Sequence, residues 1–163
     1  LTLAHVRALA SIQPWLKENV KKRCAALTRW VTSCREQLES LTARAPQEPT
    51  DFRRPAAITC KCRDCAELRR FLEDPRERVY RFRAPANRRD HLENTVREDQ
   101  CDLDMSTERT GTPHTLVCTK NKASYVERLK LYQQDQEHLA TVRSIEASLP
   151  KGGNRATRER LAR

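Results

Sequence analysis

Six consecutive residues, Cys60-Lys61-Cys62-Arg63-Asp64-Cys65, bring three thiols close together in the chain. Thiolates at i, i+2 and i+5 can converge where an extended knuckle runs into a helix, because alternate residues point the same way before the chain turns, and three sulfurs suit a soft tetrahedral metal. A fourth donor is needed to close the sphere. His91 is the expected one: Pro85 and Asn87 announce a helix start, and His91, Leu92, Thr95 and Val96 follow as one face of that helix. The expected ligand set is therefore Cys60, Cys62, Cys65 and His91, holding Zn2+. The competing set, Cys62, Cys65, His91 and Cys101, uses the two-residue cysteine gap and leaves Cys60 outside. A histidine in the set, with no other redox signature in the chain, favours zinc over iron–sulfur. Four side-chain ligands would leave no position for water, so the ion would stabilise the fold instead of activating a nucleophile. Lys61 and Arg63 beside the thiolates offset their charge. The C-x-C-x2-C run with a distant His matches neither the two-Cys, two-His finger nor the four-cysteine ribbon.

A second kind of chemistry is carried by arginine. The stretch RERVYRFRAPANRR from Arg76 to Arg89 holds six arginines against one acid, Glu77. In a strand over 78–83, Val79, Arg81 and Arg83 share one face, while Arg78, Tyr80 and Phe82 share the other. Arg88 and Arg89 open the helix that carries His91. Guanidinium groups bind phosphates and bases bidentately, so Arg78, Arg81, Arg83, Arg88 and Arg89 are the candidate nucleic-acid contacts, with DNA favoured and RNA possible; carboxylates on a protein partner would suit the same groups. Tyr80 and Phe82 are expected to pack inward. The net charge is +10, but residues 53–89 carry twelve Lys or Arg against five acids and residues 90–108 carry one Arg against seven acids. A domain built this way presents one basic and one acidic face.

Other constellations are weaker. His114, Leu116 and Cys118 alternate on one face of a strand that follows the Gly111/Pro113 turn, and the expected use is core. Residues four apart in a strand stand about 13 Å apart, too far for a nucleophile and its base. Asp99, Asp102 and Asp104 could hold a divalent ion for phosphodiester chemistry but read more simply as solvated turn residues. Phosphate loops, dinucleotide fingerprints, G-x-S-x-G and H-E-x-x-H are all missing from the sequence. A non-enzymatic reading follows, with a nuclease as the last alternative.

The elements that must position these residues are mostly helical. Val20, Cys24, Leu27, Val31, Cys34, Leu38 and Leu41 recur at alternating intervals of four and three, a heptad seam. Residues 3–12 form a shorter helix before Pro14, which marks a boundary or the first turn of the seam helix. Val126, Leu129, Tyr132, Leu139, Val142, Ile145 and Leu149 form a matching stripe, opened by a Ser124/Glu127 capping box and stopped by Pro150, Gly152 and Gly153. The expected fold is mainly α: a long antiparallel, coiled-coil-like helical hairpin carrying a small zinc-organised α+β module. Its parts are N-terminal helices (1–42), a proline-bearing linker (43–59), the zinc module (60–120), a C-terminal helix (121–149) and a basic disordered tail (150–163). Within the module the pattern predicts a helix over about 64–73, a strand near 78–83 and a helix over about 87–98.

There is no run of eighteen apolar residues, no stretch of the sequence reads as a basic start followed by an apolar run and a small-residue cleavage site, and seven cysteines with three in tight spacing read as reduced thiols. The expectation is a nuclear nucleic-acid-binding zinc module acting within a larger protein or assembly, without membrane association. Its alternative is a scaffold that binds a protein partner through the helical seam or the arginine-rich surface.

Overall fold

The structure, a computed structural model, describes residues 2–19 and 24–150. Five helices and a small sheet follow in the order α1 (Thr2–Asn19), α2 (Ala25–Leu41), α3 (Arg63–Glu73), β1 (Val79–Arg83), α4 (Ala86–Glu98), β2 (Leu103–Glu108), β3 (Thr115–Lys120) and α5 (Ala123–Ser148). The chain is mainly helical with one three-stranded antiparallel sheet, and it divides into two compact units. No described helix is long and apolar enough to cross a membrane.

One unit contains α1, α2 and α5 from Leu129 onward. Its core is Val6, Leu9 and Leu16 of α1, Val31, Cys34 and Leu38 of α2, and Leu139, Val142 and Ile145 of α5. Three helices therefore share the burial expected of a two-helix hairpin, and the described residues do not show a long coiled-coil hairpin. The seam is also shorter than its heptads: Cys24 caps α2 and is exposed, Leu41 is 52% exposed, and Val20 lies outside the described residues. Pro14 is inside α1 and not at a boundary. Its missing N–H removes one backbone bond, and Leu9 and Leu16 are buried on either side of it. Arg35 links the helices through Glu39 at 2.6 Å and Glu146 at 3.2 Å, and Arg143 reaches Glu39 at 2.9 Å.

The other unit is Pro46–Arg128. Its strands lie in the order β1-β3-β2, with Arg81 opposite Val117 and Val117 opposite Ser106. The pleat sends Phe82, Leu116, Cys118 and Leu103 into one core with Leu68, Phe71 and Leu72 of α3 and Leu92 and Val96 of α4. Burying a leucine of this kind contributes about 1.5–3 kcal/mol. Arg81, Arg83 and Ser106 are on the exposed face. Tyr80 packs inward against Phe71, ring centres 5.3 Å apart, as its alternation predicts.

Residues 103–108, read from sequence as part of an acidic, turn-like stretch, are strand β2. Leu103 and Met105 pack on the core while Asp104 is exposed, the period-two pattern of a half-buried strand. The strap before α3 is irregular but anchored: Arg54 is 4% exposed, its backbone N–H donates to Leu72 O at 2.8 Å and its guanidinium to Asp51 O at 2.8 Å. Helix α4 ends with Gln100 at φ 49°, which lets the Cys101 N–H reach back to Val96 O at 3.0 Å and close the helix. The tail from 151 to 163 lies outside the described residues.

Candidate metal centre

Three short devices converge on one point. Cys62 is the N-cap of α3, in extended conformation, and its sulfur accepts from the Cys65 N–H at 3.4 Å. That bond places Cys65 in the first turn of α3 on the side of Cys62. Cys60 precedes them in extended chain held by Arg69, whose Nη2 donates to Ile58 O at 2.8 Å and Cys60 O at 3.2 Å. One residue earlier, Thr59 donates its N–H to the Asp99 carboxylate at 3.0 Å, tying the knuckle to the end of α4.

The fourth side comes from α4. His91 Nε2 stands 3.5 Å from Cys60 Sγ, 3.3 Å from Cys62 Sγ and 3.3 Å from Cys65 Sγ, and the four donor atoms all lie within 4.8 Å of one another. A tetrahedral ion with Zn–S of about 2.3 Å and Zn–N of about 2.0 Å has S···N edges of roughly 3.5 Å. The observed separations match those edges, and the donors are three sulfurs and one imidazole. The group could hold a metal ion, and its chemistry is consistent with zinc. Cys101, the competing fourth ligand, is not in the group; it is half-buried in the apolar core of the unit.

The bare thiols differ electrostatically. The Cys65 N–H lowers the Cys62 thiol to about 7, whereas burial pushes the Cys65 thiol up to about 12. A buried sulfur of that kind becomes a thiolate at neutral pH only when a positive charge joins it. Around the ligands, Thr95 places its hydroxyl 3.7 Å from Cys65 Sγ and donates to His91 O at 3.0 Å. Asp64, in the first turn of α3, accepts both Nε and Nη2 of Arg88 of α4, with Nε at 2.8 Å. Both pairs bridge or brace the two helices that carry ligands. The His91/Thr95 face was visible as an i, i+4 pair, but nothing in the sequence matched Asp64 to Arg88.

The candidate arginines have separate partners. Arg88 also lies over the Phe82 ring, 5.2 Å from its centre, so it braces the module. Arg89 donates to Ala84 O at 3.1 Å, and Arg83 to Pro113 O and Thr112 O, both at 3.2 Å. Arg81 pairs with Glu108 across the sheet. Arg78, just before β1, is exposed and offers its carbonyl to the Lys120 N–H at 3.0 Å.

The acids have structural partners. Asp99 holds Thr59, and Asp104 accepts from Asn121 at 2.9 Å. Asp102 is 3% exposed and takes both the N–H and O–H of Ser124, and Asn121 accepts the Ala123 N–H at 3.1 Å. Asp102 and Asn121, not a Ser124/Glu127 box, thus satisfy the start of α5. Asp102 is accordingly no solvated turn residue. Leu116 and Cys118 are buried as expected, while His114 precedes β3 and has Nδ1 2.9 Å from Gly111 O. No protein family, curated protein or solved structure matches the chain significantly.

Proposed function

We propose that Pro46–Arg128 is a non-catalytic zinc module that binds nucleic acid, DNA ahead of RNA, within a larger nuclear protein or assembly. The observation that carries this reading is the Cys60, Cys62, Cys65 and His91 group, whose donor types and 3.3–3.5 Å sulfur-to-nitrogen separations suit zinc. Bound there, zinc supplies a structural cross-link with no position open to water. The chain's own residues do the rest: Asp64 with Arg88 and Thr59 with Asp99 hold α3, α4 and the knuckle together.

Support for nucleic acid comes from Arg81 and Arg83 on the exposed face of β1, with Arg78 at its start. Arg83, held by the carbonyls of Pro113 and Thr112, keeps its full charge for phosphate and is already ordered, whereas Arg81 would exchange Glu108 for a phosphate. The test is fluorescence anisotropy of the zinc-loaded chain with a labelled DNA oligonucleotide, single-stranded and duplex, across a salt series. Replacing Arg81 and Arg83 together with Ala is expected to weaken binding and to reduce the slope of log K against log salt by about 2. An unchanged slope, or no binding at low salt, contradicts the reading. A protein-interaction module is the second reading, and it would use exposed apolar side chains such as Trp15, Leu41 and Leu131, which are 59%, 52% and 49% exposed. Self-association that survives high salt, without DNA binding, is its signature.

A further inference from the structure

The junction between β1 and α4 and the bend before β3 line an open cavity of about 450 Å3. Ala84, Pro85 and Ala86 line it from the junction, and Pro113 and His114 line it from the bend. The two sides are stitched together by the Ala84 N–H, which donates to His114 O at 3.3 Å. Ligand sites usually occupy about 300–1,000 Å3 and combine apolar walls with a few placed polar groups. This cavity has that make-up.

The polar groups are all neutral or cationic. Arg89 lines the cavity, and its Nε donates to Ala84 O at 3.1 Å, which leaves the other guanidinium donors for an anion. His114 Nδ1 faces Gly111 O at 2.9 Å, so this nitrogen donates to the carbonyl and the ring is held at the bend. Arg83 sits on the carbonyls of Thr112 and Pro113 at the same bend, adding charge beside the cavity. No lining residue is acidic. The occupant that suits these groups has a flat, mostly apolar body with polar atoms on its edge and a phosphate next to it.

We propose that this cavity takes one unstacked base of single-stranded nucleic acid, with the adjoining phosphate on Arg89. The inference rests on the nucleic-acid reading of the module and narrows it to unpaired strands. A duplex would have to extrude a base to fill the cavity and so binds less well. The proline rings and the imidazole offer surfaces against which any base can lie, so the preference is for strand state more than sequence.

The test uses the full zinc-loaded chain, a labelled oligo-dT and a duplex of matching length at about 50 mM salt. Single strand is expected to bind at least about tenfold tighter than duplex. Ala86→Leu, which fills the cavity from the first turn of α4, and Arg89→Ala should each bring the single strand down to the duplex level. Arg97→Ala, elsewhere on α4, should change neither by more than about twofold. Equal binding of both forms, untouched by Ala86→Leu, overturns the cavity proposal and leaves the module's nucleic-acid reading standing. Binding of neither form overturns both. Should Ala86→Leu lose its zinc, NMR titration of the wild-type chain with thymidine 5′-monophosphate decides: shifts confined to Ala84, Ala86, Pro113 and His114 support the proposal. The absence of shifts at millimolar nucleotide, or shifts caused by an acidic peptide alone, overturns it.

Discussion

Asp102 is 3% exposed, and its carboxylate accepts the Ser124 N–H at 2.7 Å and the Ser124 O–H at 2.6 Å. Replacing it with Ala removes a charged acceptor from two donors at the start of α5. Hydrogen bonds to a charged group contribute about 1.5–3 kcal/mol each, and loss of a helix cap costs about 0.5–2 kcal/mol. The two bonds share one carboxylate and Ser124 is only half-buried, so water recovers part of the loss. The expected destabilisation for Asp102→Ala is about 2–3 kcal/mol. In a unit the size of Pro46–Arg128 this lowers the melting temperature by roughly 10–20 °C. Asp102→Asn keeps one acceptor for the Ser124 N–H and should cost about 1 kcal/mol. Urea and thermal unfolding by far-UV circular dichroism, with zinc in excess, measure both, and zinc stoichiometry should be unchanged in each. An Asp102→Ala protein within about 0.5 kcal/mol of wild type, or an Asn variant as damaged as the Ala variant, refutes the capping argument.

Three further outcomes follow from the same geometry. His91→Ala should weaken zinc binding by at least about a hundredfold in a competition with a colorimetric chelator, whereas Cys101→Ala should change it by less than about threefold; equal losses would restore Cys101 as a ligand. Leu68→Ala and Ile145→Ala, each removing a fully buried side chain from one of the two cores, should cost about 2–5 kcal/mol in urea unfolding. Gln100→Gly should stabilise the protein by roughly 0.5–1 kcal/mol, because Gln100 holds φ 49° at the end of α4 where glycine meets no Cβ penalty; a loss of stability would show that the Gln side chain matters there.

The metal ligands were legible because their spacing and periodicity are local. Cys60, Cys62 and Cys65 sit within one knuckle, and His91 shares a helical face with Leu92 and Thr95. Helices α3 and α4 lie within a residue of the expected bounds because the apolar period of α3 and the Pro85 start of α4 are local signals. Three things were not legible, each for its own reason. A heptad stripe states that a face is buried but not how many helices bury it, so α1 was missed as the third partner of α2 and α5. The acidic run hid β2, since Asp102 and Asp104 outweighed the Leu103/Met105 alternation until their partners Ser124 and Asn121, about twenty residues away, were known. Charge type said nothing of charge use: Lys120 is 4% exposed, donates to Asp74 O at 2.7 Å and lies 4.3 Å from the Phe71 ring centre, while Arg88 closes on Asp64.

The most direct test of the metal centre is native mass spectrometry of the purified chain with zinc supplied, before and after chelation. The account predicts one zinc per wild-type chain, none after chelation, and none in a Cys62→Ser/Cys65→Ser variant, with helix content of the wild type falling as the ion leaves. A wild-type chain that takes up no zinc, or one whose zinc is undisturbed by loss of Cys62 and Cys65, contradicts it.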